Sequence, residues 1–164
     1  MHLLLMRHAE AAPGEGLPDH DRPLTELGEQ DARTMGRWLQ AQGAVPDVIW
    51  CSSALRARQT WAAAAVAMTG PPEPAHLRSV YQAGPRDVIA LLRQAPAGTA
   101  RPLLIGHNPT MQHVLAGITG KAQGFAAGAV AVIDVPAWTE PGGWRLLQYA
   151  TPKTVGGSKE PVRD

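Results

Sequence analysis

The chain has 164 residues, a length that fits one domain able to bury a substantial core without disulfide or metal staples. Its 15 Lys+Arg balance 14 Asp+Glu to a net charge of +1, so no field of one sign draws in nucleic acid or an anionic membrane surface, and neither is expected as a partner. Cys51 is the only cysteine, which excludes an internal disulfide and suits a reducing cytoplasm, the expected compartment. The apolar run at residues 3–6 is too short for a signal-peptide core, and no stretch approaches the ~20 apolar residues that span a bilayer, so a soluble protein is expected.

Residues 2–6 read as a buried strand that surfaces at Arg7-His8-Ala9-Glu10. A histidine in that position is a candidate nucleophile, and the arginine beside it offers a fixed cationic fork suited to an oxyanion. Leu24-Thr25-Glu26-Leu27-Gly28 then leads into Ala32, Met35, Gly36 and Leu39 at helical spacing, with Thr25 as the expected N-cap. After a strand at 47–51, Ser52 and Ser53 are expected to cap an alanine-rich helix from Ala54 to Met68, with Arg56 in its first turn. A weaker strand at 76–80 precedes a helix from Pro85 to Arg93. The strand 102–105 runs into Gly106-His107-Asn108-Pro109-Thr110, where Asn at the N-cap and Pro at N1 signal a helix start. Strands at 129–135 and 144–149 are joined by a loop through Pro136-Ala137-Trp138 and Pro141-Gly142-Gly143. Residues 1–150 read as one domain, and 151–164, polar and without periodicity, as a loosely held tail.

This alternation of short apolar runs and helical patterns is the rhythm of an α/β fold with helices covering a sheet. Arg7-His8, Arg56 and His107 all follow strands, and open α/β sheets bind ligands outside the carboxyl ends of their strands. If the strands are parallel, two arginines and two histidines meet at one edge. Helix N-termini near Ser53 and Asn108 would add positive dipole ends, completing a phosphate cradle.

The motifs together resemble the histidine phosphatase superfamily, which includes cofactor-dependent phosphoglycerate mutases and acid phosphatases. The resemblance is carried by Leu5-Met6-Arg7-His8-Ala9-Glu10, Arg22-Pro23-Leu24-Thr25-Glu26-Leu27-Gly28, Cys51-Ser52-Ser53-Ala54-Leu55-Arg56-Ala57-Arg58-Gln59-Thr60 and Ile105-Gly106-His107-Asn108-Pro109. The third is the most specific, because Ser-Ser, Arg and Gln-Thr must fall in register. Among the branches, the short chain and the Arg-Pro-Leu-Thr spacing look most like the SixA-type phosphohistidine phosphatases. The resemblance implies a single-domain three-layer α/β/α fold with a mostly parallel central sheet. It implies that His8 accepts the phosphoryl group, that Arg7, Arg56 and His107 hold the phosphoryl oxygens, and that no metal or cofactor takes part. His8 would then be neutral, its second nitrogen donating to a backbone carbonyl, while His107 would help most when protonated, with a pH optimum near or below neutrality.

Two departures bear on the substrate. Many members of the superfamily carry a carboxylate shortly after the segment corresponding to 76–80, where it protonates an alkoxide leaving group. Here that stretch reads Val80-Tyr81-Gln82-Ala83-Gly84, with no carboxylate until Asp87, inside the expected next helix. An alcohol leaves poorly without a proton donor, whereas imidazole, with a free pKa of ~6.5, leaves already carrying its proton at neutral pH. Glu10, Asp19 and Asp21 remain the carboxylates a loop could bring close. The interval from Arg56 to His107 is also short where larger members insert a lid, implying an open site that a histidine on another protein could reach.

The remaining candidates have plainer readings. Arg58 points away from Arg56, Glu10 is a solvated loop carboxylate, and Cys51 is a small core residue. His2, His20, His76 and His113 share no register and are expected to be structural. The tryptophans are expected to pack, with Trp138 the one suited to contact a ligand. The expected activity is a metal-independent phosphatase working through a phosphohistidine on His8, acting on a phosphorylated substrate such as a phosphohistidine-bearing protein. The alternatives are a small-molecule phosphomonoesterase or mutase and a non-catalytic phosphate-binding module; a metal-dependent hydrolase is disfavoured because the arginines would repel a dication. Oligomeric state is left open.

Overall fold

The computed structural model describes residues 1–139 and 142–156. Its sheet is built from β1 (His2–Arg7), β2 (Val48–Ser52), β3 (Ala75–Leu77), β4 (Pro102–Gly106), β5 (Val130–Asp134) and β6 (Arg145–Ala150) in the order β3-β2-β4-β1-β5-β6. The first four of that order run parallel, while β5 pairs antiparallel with β1 and β6 antiparallel with β5. The helices are α1 (Glu26–Ala41), α2 (Leu55–Ala65), α3 (Arg78–Tyr81), α4 (Pro85–Leu92), α5 (Thr110–Thr119) and α6 (Pro152–Gly156).

Alternation along β1 explains the layers. Leu3 and Leu5 join Val88, Leu92, Val114, Leu115 and Phe125 on the α4/α5 side. Leu4 and Met6 join Met35, Leu39, Ile49 and Trp61 on the α1/α2 side. All four β1 side chains are fully buried, because a strand covered on both faces reads as a continuous apolar run. Burial of this kind is worth about 1.5–3 kcal/mol per large aliphatic side chain, so both faces contribute to holding the strand whose end carries His8.

The segment between β1 and α1 folds back on itself. Ala11 bridges Leu24, Thr25 N–H donates to the Glu10 carbonyl (3.0 Å), and Ala12 N–H donates to the Pro23 carbonyl (2.8 Å). Thr25 caps α1 by accepting from Gly28 N–H (3.0 Å), as the sequence predicts. Gly28 lies against the Glu10 carbonyl and Gly36 against that of Ala64, so a Cβ at either would collide with backbone. The motif around Leu24–Gly28 is therefore a clasp on the loop behind His8. The excursion it closes carries a single 3-10 turn, Asp19–Asp21, bonded to Arg56 of α2.

Several boundaries differ from expectation, among them the strand expected at 76–80, which ends at Leu77 where α3 begins. α2 begins at Leu55 without a side-chain cap, and ends three residues before Met68. α5 begins at Thr110, because the Asn108 side chain donates to the Phe125 carbonyl (3.0 Å) instead of capping. The expected tail contains α6, whose Val155 packs on the α1/α2 core; a five-residue helix is too short to leave a period in the sequence. Residues 157–164 of that expected tail lie outside the described residues. Trp138 also departs from the reading that gave it a ligand contact: its Nε1 donates to the Thr99 carbonyl (3.2 Å) and its ring packs on the core. Among the described residues no helix is long and apolar enough to cross a membrane.

Candidate active site

The parallel register brings the strand ends together. Arg7 of β1 lies opposite Gly106 of β4, and Cys51 of β2 opposite Ile105 of β4, so His8, Ser52 and His107 emerge side by side. Arg56 enters from the first turn of α2. The His8 and His107 ring centroids are 5.0 Å apart, and Arg56 Nε donates toward His8 Nε2 at 3.4 Å. The structure thus brings together Arg7, His8, Arg56 and His107.

His8 is oriented by its own backbone neighbour. Its Nδ1–H donates to the Ala9 carbonyl at 2.7 Å, which leaves Nε2 unprotonated, its lone pair turned toward Arg56 Nε. Ala9 is fixed in turn, its N–H donating to Thr60 Oγ1 (3.0 Å), while Thr60 Oγ1–H donates to the Arg56 carbonyl (2.7 Å). Gln59 Oε1 accepts from Leu24 N–H (2.8 Å). The Gln-Thr pair of the third motif therefore ties α2 to both ends of the loop behind His8. Burial above all, with the charges of Arg56, Arg7 and Arg22, pushes the His8 pKa down to about 4 against the upward pull of the Ala9 carbonyl. The ring is neutral at physiological pH.

His107 is also neutral, contrary to the expectation that it works protonated. Burial first, then His8 and the nearby arginines, pushes its pKa down to about 3. Its Nε2 lies 2.6 Å from Ser52 Oγ, and Ser52 Oγ already accepts from Ala54 N–H (3.2 Å). With Ser52 O–H donating to Nε2, the ring carries its proton on Nδ1. Among the described residues that Nδ1 is buried without a protein partner, and so is Arg7 Nε. Arg7 is held at its other end, Nη1 donating to the Phe125 carbonyl (3.0 Å) that also receives Asn108. Buried donors left without acceptors beside a neutral imidazole suit an incoming oxyanion, since such groups are otherwise costly.

Asp19 lies over Arg56. Its carbonyl accepts from Arg56 Nη1 (2.7 Å), and its Oδ2 accepts from Arg56 Nη2 (3.0 Å) and from Tyr81 O–H (2.8 Å). Arg22 Nη1 donates to Oδ1 (3.0 Å). Tyr81, Arg22 and Arg56, in that order, hold the carboxyl well below the usual carboxylate range. Tyr81 also sets its ring edge-on to His107 and to His20, with centroids at 5.5 and 4.8 Å. His20 Nε2 meets Ser53 Oγ at 2.8 Å and its Nδ1 lies 3.5 Å from Asp21. Sequence reading left His20 and Tyr81 without a role, and both stand at the rim.

Asp21 stays at the rim, exposed and 3.5 Å from His20 Nδ1, while Glu10 and Asp87 are occupied elsewhere. Glu10 accepts from Thr25 O–H (3.0 Å), and Asp87 accepts from Gly84 N–H (2.7 Å) at the start of α4. Arg58 is exposed. Cys51 is fully buried, and burial pushes its thiol up to about 12, so it packs and does not react.

Known proteins resemble this chain in sequence and in fold. The family model described as histidine phosphatase superfamily (branch 1) matches residues 3–78. A solved structure from Nakamurella multipartitia, provisionally described as a SixA phosphohistidine phosphatase, is 31% identical with a TM-score of 0.79 over 92% of this chain and 95% of that one. The chain belongs to the histidine phosphatase superfamily. The structure of the protein histidine phosphatase SixA complexed with tungstate is 26% identical, with a TM-score of 0.79 over 93% of this chain and 97% of that one. An uncharacterized Mycobacterium tuberculosis protein, Rv1276c, is 35% identical over 90% of this chain and its own full length. The superfamily membership and the SixA-like fold together identify a phosphatase.

Proposed function

We propose that the protein is a phosphohistidine phosphatase of the SixA type, which takes a phosphoryl group from a histidine on another protein onto His8 and releases it to water. The observation that carries this reading is the state of the carboxylates. Asp19 is held ionised by three donors, Asp21 is an exposed carboxylate beside His20, Glu10 and Asp87 serve loop and helix, and Tyr81 stands where many family members carry an acid. Without a carboxylic acid at the leaving group, an alkoxide is a poor leaving group and an imidazole a good one.

His8 attacks through Nε2, kept unprotonated by burial and by the Nδ1–H bond to the Ala9 carbonyl, and Arg56 Nε turns from that nitrogen to the phosphoryl oxygens as the bond to phosphorus forms. The same bond stabilises the charge that appears on the ring once Nε2 bonds phosphorus. Arg7 Nε, Arg56 Nε and His107 Nδ1 are donors available to the equatorial oxygens, where charge spreads in the transition state. A neutral His107 performs this role as a hydrogen-bond donor. Water then attacks the phosphohistidine on the opposite face and returns His8 to its starting form.

Trapping tests the mechanism. Brief reaction with a radiolabelled phosphohistidine protein should leave an acid-labile, alkali-stable label on the enzyme, absent in His8→Ala. Full turnover by His8→Ala would end the proposal.

A further inference from the structure

The anchoring of Asp19 leaves part of it unused. A carboxylate offers about four acceptor positions. Tyr81 and Arg56 fill two on Oδ2 and Arg22 fills one on Oδ1, which leaves one on Oδ1. The Asp19 side chain is 53% exposed, while Arg56, to which it is bonded, is 7% exposed at its side chain. The Asp19 carbonyl is bound to Arg56 as well, so main chain and side chain are both fixed. One guanidinium therefore joins the two groups: its Nε faces the nucleophilic nitrogen of His8 and its Nη atoms face Asp19.

We infer that Asp19 is a leaving-group residue, its carboxylate accepting a hydrogen bond from the distal ring N–H of the departing imidazole, so that the site selects phosphoryl donors whose leaving group carries an N–H. The inference rests on the phosphoramidate reading above and assigns it a specificity residue. A phosphorylated imidazole leaves readily only when its distal nitrogen is protonated, because the P–N electron pair then returns to a ring that departs neutral. In the balanced step, His8 Nε2 donates its pair to phosphorus and the P–N bond to the substrate ring breaks. The pair goes to the substrate nitrogen, and each ring keeps the proton on its other nitrogen. Asp19 does for the departing ring what the Ala9 carbonyl does for His8. No proton crosses the site, which is why an ionised carboxylate serves where a carboxylic acid would be needed for an alkoxide.

The geometry also excludes the reverse arrangement. Oδ2 receives two protein donors and Oδ1 one, all stabilising the charged form, so Asp19 has no proton to give. A leaving group bearing its own negative charge meets this carboxylate and is repelled.

The test compares 1-phosphoimidazole with p-nitrophenyl phosphate, whose leaving nitrophenolate carries no N–H, in wild type, Asp19→Asn and Tyr81→Phe. Asp19→Asn should lower kcat/KM on phosphoimidazole on the order of tenfold more than on p-nitrophenyl phosphate, the worth of a charge-assisted hydrogen bond. Tyr81→Phe keeps the carboxylate, so it should weaken both substrates alike and leave their ratio unchanged. Equal losses on both substrates in Asp19→Asn would overturn the inference and reduce Asp19 to a support for Arg56. An equal shift of the ratio in Tyr81→Phe would overturn it too. If wild type hydrolyses the nitrophenyl ester but not phosphoimidazole, the phosphoramidate reading itself fails, and this inference fails with it.

Discussion

His8 and Arg56 are 8% and 6% exposed and arrive from a strand end and the first turn of the helix behind a strand, whereas Asp19, about half in solvent, arrives from a loop between β1 and α1. Both regions are held by hydrogen bonds to named partners, but they differ in what fixes them. The floor is fixed by the sheet register and by Thr60, Ser52 and the Ala9 carbonyl; the rim is fixed by side chains reaching across from three separate segments. The floor is suited to the step every histidine phosphatase substrate shares, attack on phosphorus. The rim meets the leaving group, where substrates differ. A site divided in this way can change its substrate through loop residues while the buried residues stay as they are.

Substitutions on the floor should have the largest effects. His8→Ala should lower kcat by at least about 10⁴-fold, the loss typical of a removed nucleophile, measured on a phosphoramidate. Arg56→Ala should cost on the order of 10²–10³-fold in kcat, as for a donor aimed at developing charge, while exposed Arg58→Ala should leave turnover unchanged. Similar losses for the two arginines would remove the distinction between buried donor and solvated neighbour.

The floor should also be visible in the pH profile. With the His8 pKa pushed down to about 4, the neutral form persists through the range in which a free imidazole, pKa ~6.5, would protonate. Corrected for substrate ionisation, kcat/KM should stay level as pH falls from 7 and drop only as it passes about 4. A limb near the free-imidazole value would mean that His8 is not desolvated. Stability should follow the same sign. Below ~6.5 the unfolded chain takes up protons at His8 and His107 that the folded chain refuses, so Tm should fall on acidification, and His107→Gln should flatten that slope.

A smaller effect is expected one step behind the floor. Thr60→Val leaves the buried Ala9 N–H without its acceptor and should cost about 1–3 kcal/mol, read as a lower denaturation midpoint, with a secondary loss in kcat as the loop behind His8 loosens. Unchanged stability with lost activity would move Thr60 from a support to a direct participant.

The difference between floor and rim also accounts for what the sequence made legible. Leu3–Met6 and Leu103–Ile105 are buried on both faces and stand out as apolar runs, which located the strand ends and hence Arg7, His8 and His107. Arg56 was legible from its offset after Ser52-Ser53. At the rim Asp19 was legible only as one of several carboxylates a loop could bring close, since it and Tyr81 are 62 residues apart and meet only through loop geometry. His20 sits in a single 3-10 turn with no period to reveal its face. The downward push on His107 was legible only in part: its arginine neighbours were expected to oppose its charging, but the burial that is the largest cause is tertiary. The start of α5 was misplaced because Asn108 spends its amide on the distant Phe125 carbonyl.

The central claim is that this phosphatase takes its phosphoryl group from nitrogen. It is tested most directly by measuring kcat/KM for the purified enzyme on a phosphohistidine-bearing protein and on a sugar phosphate under the same conditions. The carboxylate arrangement predicts efficient turnover of the phosphohistidine and slow turnover of the monoester. Rapid hydrolysis of the sugar phosphate with little activity on phosphohistidine would contradict it.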